Sequence, residues 1–342
     1  MRAVTYGGAG KLTVARREIP APGPREVQVA VGYVGICGTD LHLFHGAMDD
    51  RAQEGRVIGH EMSGTVREIG PEVDGWKCGE IVTVLPIVAC SSCFACRAGH
   101  LHLCHNLNFL GIDSDGAMQE LWNVPADNLV RLPSSLNLRA AALVEPTAVA
   151  VHDVRRAGLT EGETTLVVGG GPIGLLVALR AANQGADVLV LEPNAFRRSL
   201  IQGAGLRALD SASDHLDESI SEWTGGDGPS VAFEVSGSQV GLDAAVGHLA
   251  VRGRLVVVAI HTQQRSVDLH RFFLRELTLT GARLYQRRDF EEAVRLIETG
   301  RIPALSLVTA CEPMEHAGAA LAALGSGQDV MKILVDCREV PT

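Results

Sequence analysis

The sequence predicts an α/β protein of two domains, one rich in short strands and one a doubly wound parallel sheet covered by helices. Three observations predict this. With 342 residues, the chain is longer than one ordinary core supports. Up to about Leu143 it is rich in β-branched residues, glycine and proline, with short alternating stretches such as VQVAVGYVG and GEIVTVLP. Beyond that point it changes to a recurring strand, helix, strand pattern, the mark of a parallel sheet.

Taken in order, the strand-rich half includes VIGHEMSGTV, which sets His60 and Glu61 side by side in an otherwise apolar, glycine-rich run. The second half opens with the strand TTLVVGG, a helical stretch from Pro172 to Gln184 and the strand DVLVLE. VAFEVSG, GRLVVVAI and LTLTGAR are further strand candidates with helix-like segments between most of them. After about Gln286 a helix, DFEEAVRLIETG, leads to a tail in which ALSLVTA and MKILVDC read as strands.

Apolar residues make up 46% and charged residues 20% of the chain, as in a soluble globular protein. No apolar run approaches the ~18 residues of a membrane span. The start, MRAVTYGGAGKLTV, has neither the apolar core nor the cleavage site of a secretory signal, so a cytoplasmic protein is expected. Thirty basic against 40 acidic residues give a net charge of −10, which repels polyanions and argues against nucleic acid as a partner. Eight cysteines in such a chain point to metal ligands or buried thiols more than to disulfides.

Four of these, Cys90, Cys93, Cys96 and Cys104, fall in CSSCFACRAGHLHLC. Thiolates so closely spaced can wrap one tetrahedral zinc, and four sulfurs leave no open position, so this zinc is expected to hold a lobe in shape. A second set is scattered: Cys37 in GICGTDLHLFHG, His60 and Glu61 in GHEMSG, and Glu145 in ALVEPTAVAVH. Singly, these read as a small core residue, a satisfied buried histidine and surface carboxylates. Together, a thiolate, an imidazole and a carboxylate can bind zinc with a position left open, as catalysis requires. Thr39 and His42, just after Cys37, form a hydroxyl-to-imidazole relay able to carry an alcohol proton outward, while Asp40 reads as a helix cap.

Gly169, Gly171 and Gly174 in TTLVVGGGPIGLLVALR have the dinucleotide-binding spacing, and Pro172 and Ile173 open the helix whose N-terminus receives a pyrophosphate. Glu192 ends the next strand, where a carboxylate accepts from ribose hydroxyls and repels a 2′-phosphate, which favours NAD over NADP. Arg197 and Arg198 lie close enough in sequence to blur that preference.

GICGTDLH, GHEMSGTV, the four-cysteine lobe, VEP and GGGPIG occur in one order from end to end, and with them the chain resembles the zinc-dependent medium-chain dehydrogenases, especially the branch of threonine, sorbitol and butanediol dehydrogenases. The resemblance implies a GroES-like β-barrel catalytic domain over 1–147 and 286–342, with a zinc lobe at about 89–105, interrupted by a Rossmann domain over 148–285. It implies two Zn2+ per chain: a catalytic ion on Cys37, His60 and Glu61, with Glu145 beside it, and a structural ion on the four cysteines. It also implies relay roles for Thr39 and His42, cofactor contacts from the glycine turn, Glu192 and Arg197, and a homotetramer or homodimer assembled through Rossmann edges. The expected activity is NAD-dependent oxidation of a small secondary alcohol, a vicinal diol or sugar alcohol, to its ketone. Threonine oxidation and a catalytically idle zinc protein are the alternatives. Glu80 stands where the family has aspartate, and Cys78, Cys311 and Cys337 read as packing residues. Asp113 and Asp115 fall where the family has a variable loop near the active-site mouth; their carboxylates either receive hydroxyls of a polyol or stay in water as turn formers, and the second reading is preferred.

Overall fold

The computed structural model describes residues 1–48, 50–327 and 329–339. The chain forms two compact units, Met1–Glu145 with Gln286–Thr342, and Pro146–Tyr285. The first unit runs through β1 (Arg2–Tyr6), β2 (Leu12–Arg16), β3 (Glu26–Gly35), α1 (Gly38–Phe44), β4 (Glu61–Ile69), β5 (Ile81–Val84), β6 (Ile87–Val88), α2 (Phe94–Arg97), β7 (Asn108–Phe109), β8 (Leu121–Pro125), β9 (Leu129–Arg131) and α3 (Leu138–Ala141). Helix α4 (Val144–Ala157) starts in this unit and continues into the second.

The second unit alternates without exception: β10 (Thr164–Val168), α5 (Pro172–Asn183), β11 (Asp187–Leu191), α6 (Ala195–Gly203), β12 (Arg207–Leu209), α7 (Leu216–Thr224), β13 (Val231–Glu234), α8 (Gln239–His248), β14 (Arg254–Val257), α9 (Leu269–Arg275) and β15 (Thr278–Gly281). Its six strands are all parallel in the order β12-β11-β10-β13-β14-β15. The order reverses between β10 and β13, and a doubly wound sheet binds its ligand at the carboxyl ends of the strands flanking that point. Leu166, Val168, Leu189, Leu191 and Leu255 pack with Leu242, Ala245 and Val246 of α8 in one core cluster. Val167, Val190, Phe233 and Val256, of opposite parity, are buried too, so both faces of the sheet are covered. Strand β12, three residues with an exposed first arginine, is too short for periodicity to reveal.

The chain returns to the first unit as α10 (Arg287–Glu298), α11 (Ala304–Leu307), β16 (Val308–Pro313), α12 (Ala317–Gly325) and β17 (Lys332–Asp336). The expected strand ALSLVTA is corrected here: Ala304–Leu307 is a helical turn and the strand begins at Val308. Pro303 at the N-cap and two leucines in the turn favour helix over the β-branched residues that follow.

Strand β3 is the hub of the first unit's seven-stranded sheet. It pairs antiparallel with β4 along most of its length, with β8 at its start and with β17 at its end. The inward valines Val27, Val29 and Val31 give way to Val34 across a register shift between Val31 and Tyr33. That shift sets Gly35 opposite Glu61 on β4 and Leu334 on β17, the register that matters for the site.

Two surface readings also need correction. Cys78 is exposed rather than packed, because the Glu80 carboxylate closes a surface turn by accepting the Lys77 N–H at 3.1 Å. Asp113 and Asp115 are not idle solvated carboxylates. Asp113 accepts two bonds from Arg51, at 3.0 and 2.7 Å, and one from the Phe109 N–H at 2.8 Å. Asp115 accepts from the Val57 N–H at 2.9 Å and pairs with Arg17 at 3.1 Å. Among the described residues no helix is long and apolar enough to cross a membrane.

Candidate active site and metal centres

Among the described residues two groups of metal-ligand side chains converge, Cys37 with His60 and Glu61, and Cys90 with Cys93, Cys96 and Cys104; within each, the ligand atoms lie within 4.8 Å of one another. The first group is made by the β3–β4 pairing. Strand β3 ends at Gly35, and Cys37 is the extended N-cap residue of α1. Asp40 lies inside the first turn, not before it, and its carboxylate accepts the Cys37 N–H at 3.0 Å, fixing where the thiol begins. Across the ladder, β4 opens at Glu61 with His60 just before it, so the buried pair arrives beside Cys37.

His60 Nδ1 lies 3.6 Å from Asp40 Oδ1, an electrostatic contact rather than a hydrogen bond, and its ring meets Phe109 edge-on at 5.1 Å. Burial works to lower the imidazole pKa, but the Asp40 charge and the Cys37 thiol overturn this and push it up to about 10. Burial also pushes the Asp40 carboxyl up, against the pull of His60. Such values mark a dry pocket with a surplus of negative charge. Glu61 is fully buried, and its Oε1 accepts no hydrogen bond among the described residues, a costly state for an isolated carboxylate. The alternative of Glu61 and Glu145 as surface carboxylates therefore fails, since both are buried. A thiolate, an imidazole and an orphaned carboxylate oxygen are a donor set that fits Zn2+.

Glu145, in the first turn of α4, is close enough for its charge to raise the pKa of His60, but it is outside the converging trio. Thr39 and His42 lie one helical turn apart on the half-exposed face of α1, opposite the inward-facing Asp40 and Leu43. One site residue was missed from sequence: Lys332, buried at the start of β17, forms an ion pair with Glu61 and donates to the Ile36 carbonyl at 2.8 Å. Burial works against its charge, and the carboxylate of Glu61 and the sulfur of Cys37 more than restore it. The available signal was a lysine inside the apolar run MKILV.

The four cysteines sit in the loop around α2, with Cys93 as its N-cap. Sulfur atoms approach at 3.4 Å between Cys93 and Cys96 and 3.9 Å between Cys93 and Cys104, and all are free thiols. Backbone N–H groups aim at them: Cys93 to Cys90 at 3.4 Å, Cys90 to Cys104 at 3.2 Å, and His105 to Cys93 at 3.5 Å. The Ser92 hydroxyl, the Ser92 and Cys93 N–H groups and the Cys104 thiol pull Cys90 down to about 5, while burial pushes Cys96 up to about 12. Four sulfurs this close cannot all ionise unaided, and a divalent cation lets them do so.

In the second unit the glycine turn joins β10 to α5, whose N-cap is Gly171 and whose first residue is Pro172. Gly169 has φ +104°, a conformation open to glycine, and a Cβ on Gly174 would overlap the Gly169 carbonyl. Glu192, just past β11, accepts the Gly170 N–H at 2.7 Å on Oε2 and the Asn194 N–H at 2.9 Å on Oε1. The carboxylate thus braces the turn itself. Ile173 is half-buried behind Pro172, and Arg197 lies in the first turn of α6 with its guanidinium toward Gly171.

Family comparisons agree with this geometry. Residues 23–134 match the alcohol dehydrogenase GroES-like domain and residues 172–299 the zinc-binding dehydrogenase domain. The chain is 43% identical to a 2-dehydro-3-deoxy-L-galactonate 5-dehydrogenase of Pseudoalteromonas atlantica, over 98% of this chain and 99% of that one. It is 34% identical to the L-galactonate-5-dehydrogenase of Escherichia coli, over 87% and 88%. Among solved structures, the 2R,3R-butanediol dehydrogenase of Bacillus subtilis superposes with a TM-score of 0.90 at 30% identity, covering 98% of this chain and 99% of that one. With a GroES-like unit, a Rossmann-type sheet, a four-cysteine site and a Cys/His/Glu site, this chain belongs to the zinc-containing medium-chain alcohol dehydrogenase family, as a zinc-dependent, NAD(P)-linked enzyme acting on alcohols.

Proposed function

We propose that the substrate is a six-carbon sugar acid of the galactonate type, oxidised at the C5 hydroxyl: the secondary alcohol and NAD+ give the ketone, NADH and a proton. The observation that carries this reading is the end-to-end similarity to two relatives whose names both specify a 5-dehydrogenase of a galactonate-type acid. It narrows the sequence-based expectation without leaving it, since a C5 hydroxyl beside a C6 hydroxyl is a vicinal diol.

In this reading Cys37, His60 and Glu61 hold the catalytic zinc, with Glu145 at its flank. Zinc bound there supplies Lewis acidity, which eases loss of the substrate hydroxyl's proton near neutral pH. Thr39 accepts that proton and His42, one turn along α1, passes it to solvent. Gly169, Gly171, Pro172, Ile173 and Gly174 receive the cofactor pyrophosphate at the N-terminus of α5. Glu192, already fixed by two backbone N–H groups, presents its remaining lone pairs to the adenosine ribose, and its charge favours NAD over NADP. Arg197 flanks the same turn. Eight free thiols suit a reducing compartment, in keeping with a cytoplasmic location.

The test is NADH formation by the zinc-loaded enzyme on L-galactonate, 2-dehydro-3-deoxy-L-galactonate, L-threonine, 2,3-butanediol and sorbitol. A sugar acid is expected to exceed every other substrate in kcat/KM by at least about tenfold, roughly 1.4 kcal/mol of discrimination. Preference for threonine or a neutral diol overturns the assignment.

A further inference from the structure

We propose that Lys332 is a positioning residue of the Cys37/His60/Glu61 site: its ammonium claims Glu61 Oε2 and leaves Oε1 as the single oxygen this carboxylate offers a metal ion. The inference rests on the assignment of that trio as a zinc site.

The strand register brings the pair together. Gly35 on β3 faces Glu61 on β4 and Leu334 on β17, and Lys332, two residues before Leu334, shares Leu334's face of the sheet. Between them Gly35 has no side chain. A Cβ there would lie 2.9 Å from Lys332 Cε and overlap Glu61 Oε2, so the glycine provides the space in which the pair meets. The ammonium is anchored a second time on the Ile36 carbonyl at 2.8 Å, the residue immediately before Cys37. One buried cation thus ties together the two segments that carry the thiol and the carboxylate. Both Glu61 oxygens are buried without a conventional hydrogen bond among the described residues, and the ion pair with Lys332 falls on Oε2, which leaves Oε1 without a charged partner there.

The consequence is a count of coordination places. A tetrahedral zinc has four; Cys37 and His60 use two, and a carboxylate binding through both oxygens would use the remaining two and close the site. Held through Oε2 by Lys332, Glu61 uses one, and a place stays open for the substrate oxygen. A partner outside the ligand shell that orients a ligand commonly changes metal-site properties by ~10–100-fold.

The experiment uses the full-length enzyme with cobalt in place of zinc at this site and zinc kept on the four cysteines, with imidazole as a probe of the open place. Lys332→Met is expected to shift the visible cobalt bands, as the second Glu61 oxygen takes the place of the exchangeable ligand, and to lower imidazole affinity on the order of tenfold. Lys332→Arg should restore both. Lys332→Gln, which keeps a donor for Ile36 but lacks the charge, gives the same readout should the Met variant not fold. Unchanged bands and imidazole affinity in a folded variant overturn the proposal, as do loss of cobalt or failure of both variants to fold, which would assign Lys332 to building the site. Metal found only on the four cysteines of the native protein would instead sink the zinc-site assignment itself.

Discussion

At the scale of single residues, the pocket around His60 explains why a strand start carries two polar neighbours. Cys37, Asp40 and Glu61 surround one imidazole with more negative charge than a dry interior tolerates, and a cation resolves the surplus. Cys37→Ser should therefore lower bound zinc from two per chain to one and reduce kcat on the order of a thousandfold, several kcal/mol of lost charge stabilisation. NADH binding, followed by fluorescence, should be nearly unchanged, because the glycine turn belongs to the other unit. Near-full turnover with no metal at this site would contradict the zinc role. Cys37, His60 and Glu61 were legible in the sequence because their chemistry is distinctive even when dispersed. Lys332 and Gly35 were not, because a lysine in a strand and a glycine at a strand end acquire meaning only through register, which β3 alters by a shift at Val31 to Tyr33. Asp113 and Asp115 were misread for a similar reason: their partners, Arg51, Arg17 and the Val57 and Phe109 amides, are remote in sequence or set by a loop fold that spacing does not specify.

At the scale of elements, the alternating second unit was the most legible part, since β10, α5 and β11 repeat a period that short apolar strands and a long helix cannot share. The four-cysteine loop was equally plain, because its ligands are local. Replacing Cys93 with Ser should remove that zinc, leave the Cys37 site loaded, and lower Tm by ~5–10 °C, about 2–3 kcal/mol at ~2–4 °C per kcal/mol. An unchanged Tm with the lobe's zinc gone would deny it a structural role. A second element-scale prediction concerns the join of β10 and β14. Burial raises the Glu163 carboxyl, but two bonds from Arg254, at 2.8 and 2.7 Å, and the Thr160 N–H hold it below its ordinary value. A carboxyl lowered on folding stabilises above its unfolded pKa, and that contribution is lost as pH falls through the folded value. Glu163→Gln should cost about 1 kcal/mol at neutral pH, and urea titrations of the two proteins should converge in acid. A difference that persists or grows as pH falls would place the effect elsewhere.

At the scale of the whole molecule, the second unit's sheet has an unguarded edge. Strand β15 is last in the order, and its Thr278, Leu279 and Gly281 are exposed, with no lysine or proline within the strand to discourage pairing. The same unit exposes Phe273 at 78% and Leu274 at 63% on α9, and Leu279 itself at 49%. An open ladder edge with large apolar side chains in the same unit is unfavourable for a chain alone in water, and a second copy meeting it about a twofold axis would pair the edge and cover the apolar residues together. We therefore expect a homodimer, or a tetramer built from such dimers, in sedimentation. Leu279→Lys with Phe273→Asp should shift the population to monomer while leaving the far-ultraviolet dichroism and the zinc content unchanged, because neither residue contributes to the first unit or to the core cluster of the second. Native protein that sediments as a monomer at micromolar concentration, or a double variant that keeps the native assembly, would overturn the pairing of two copies through this edge.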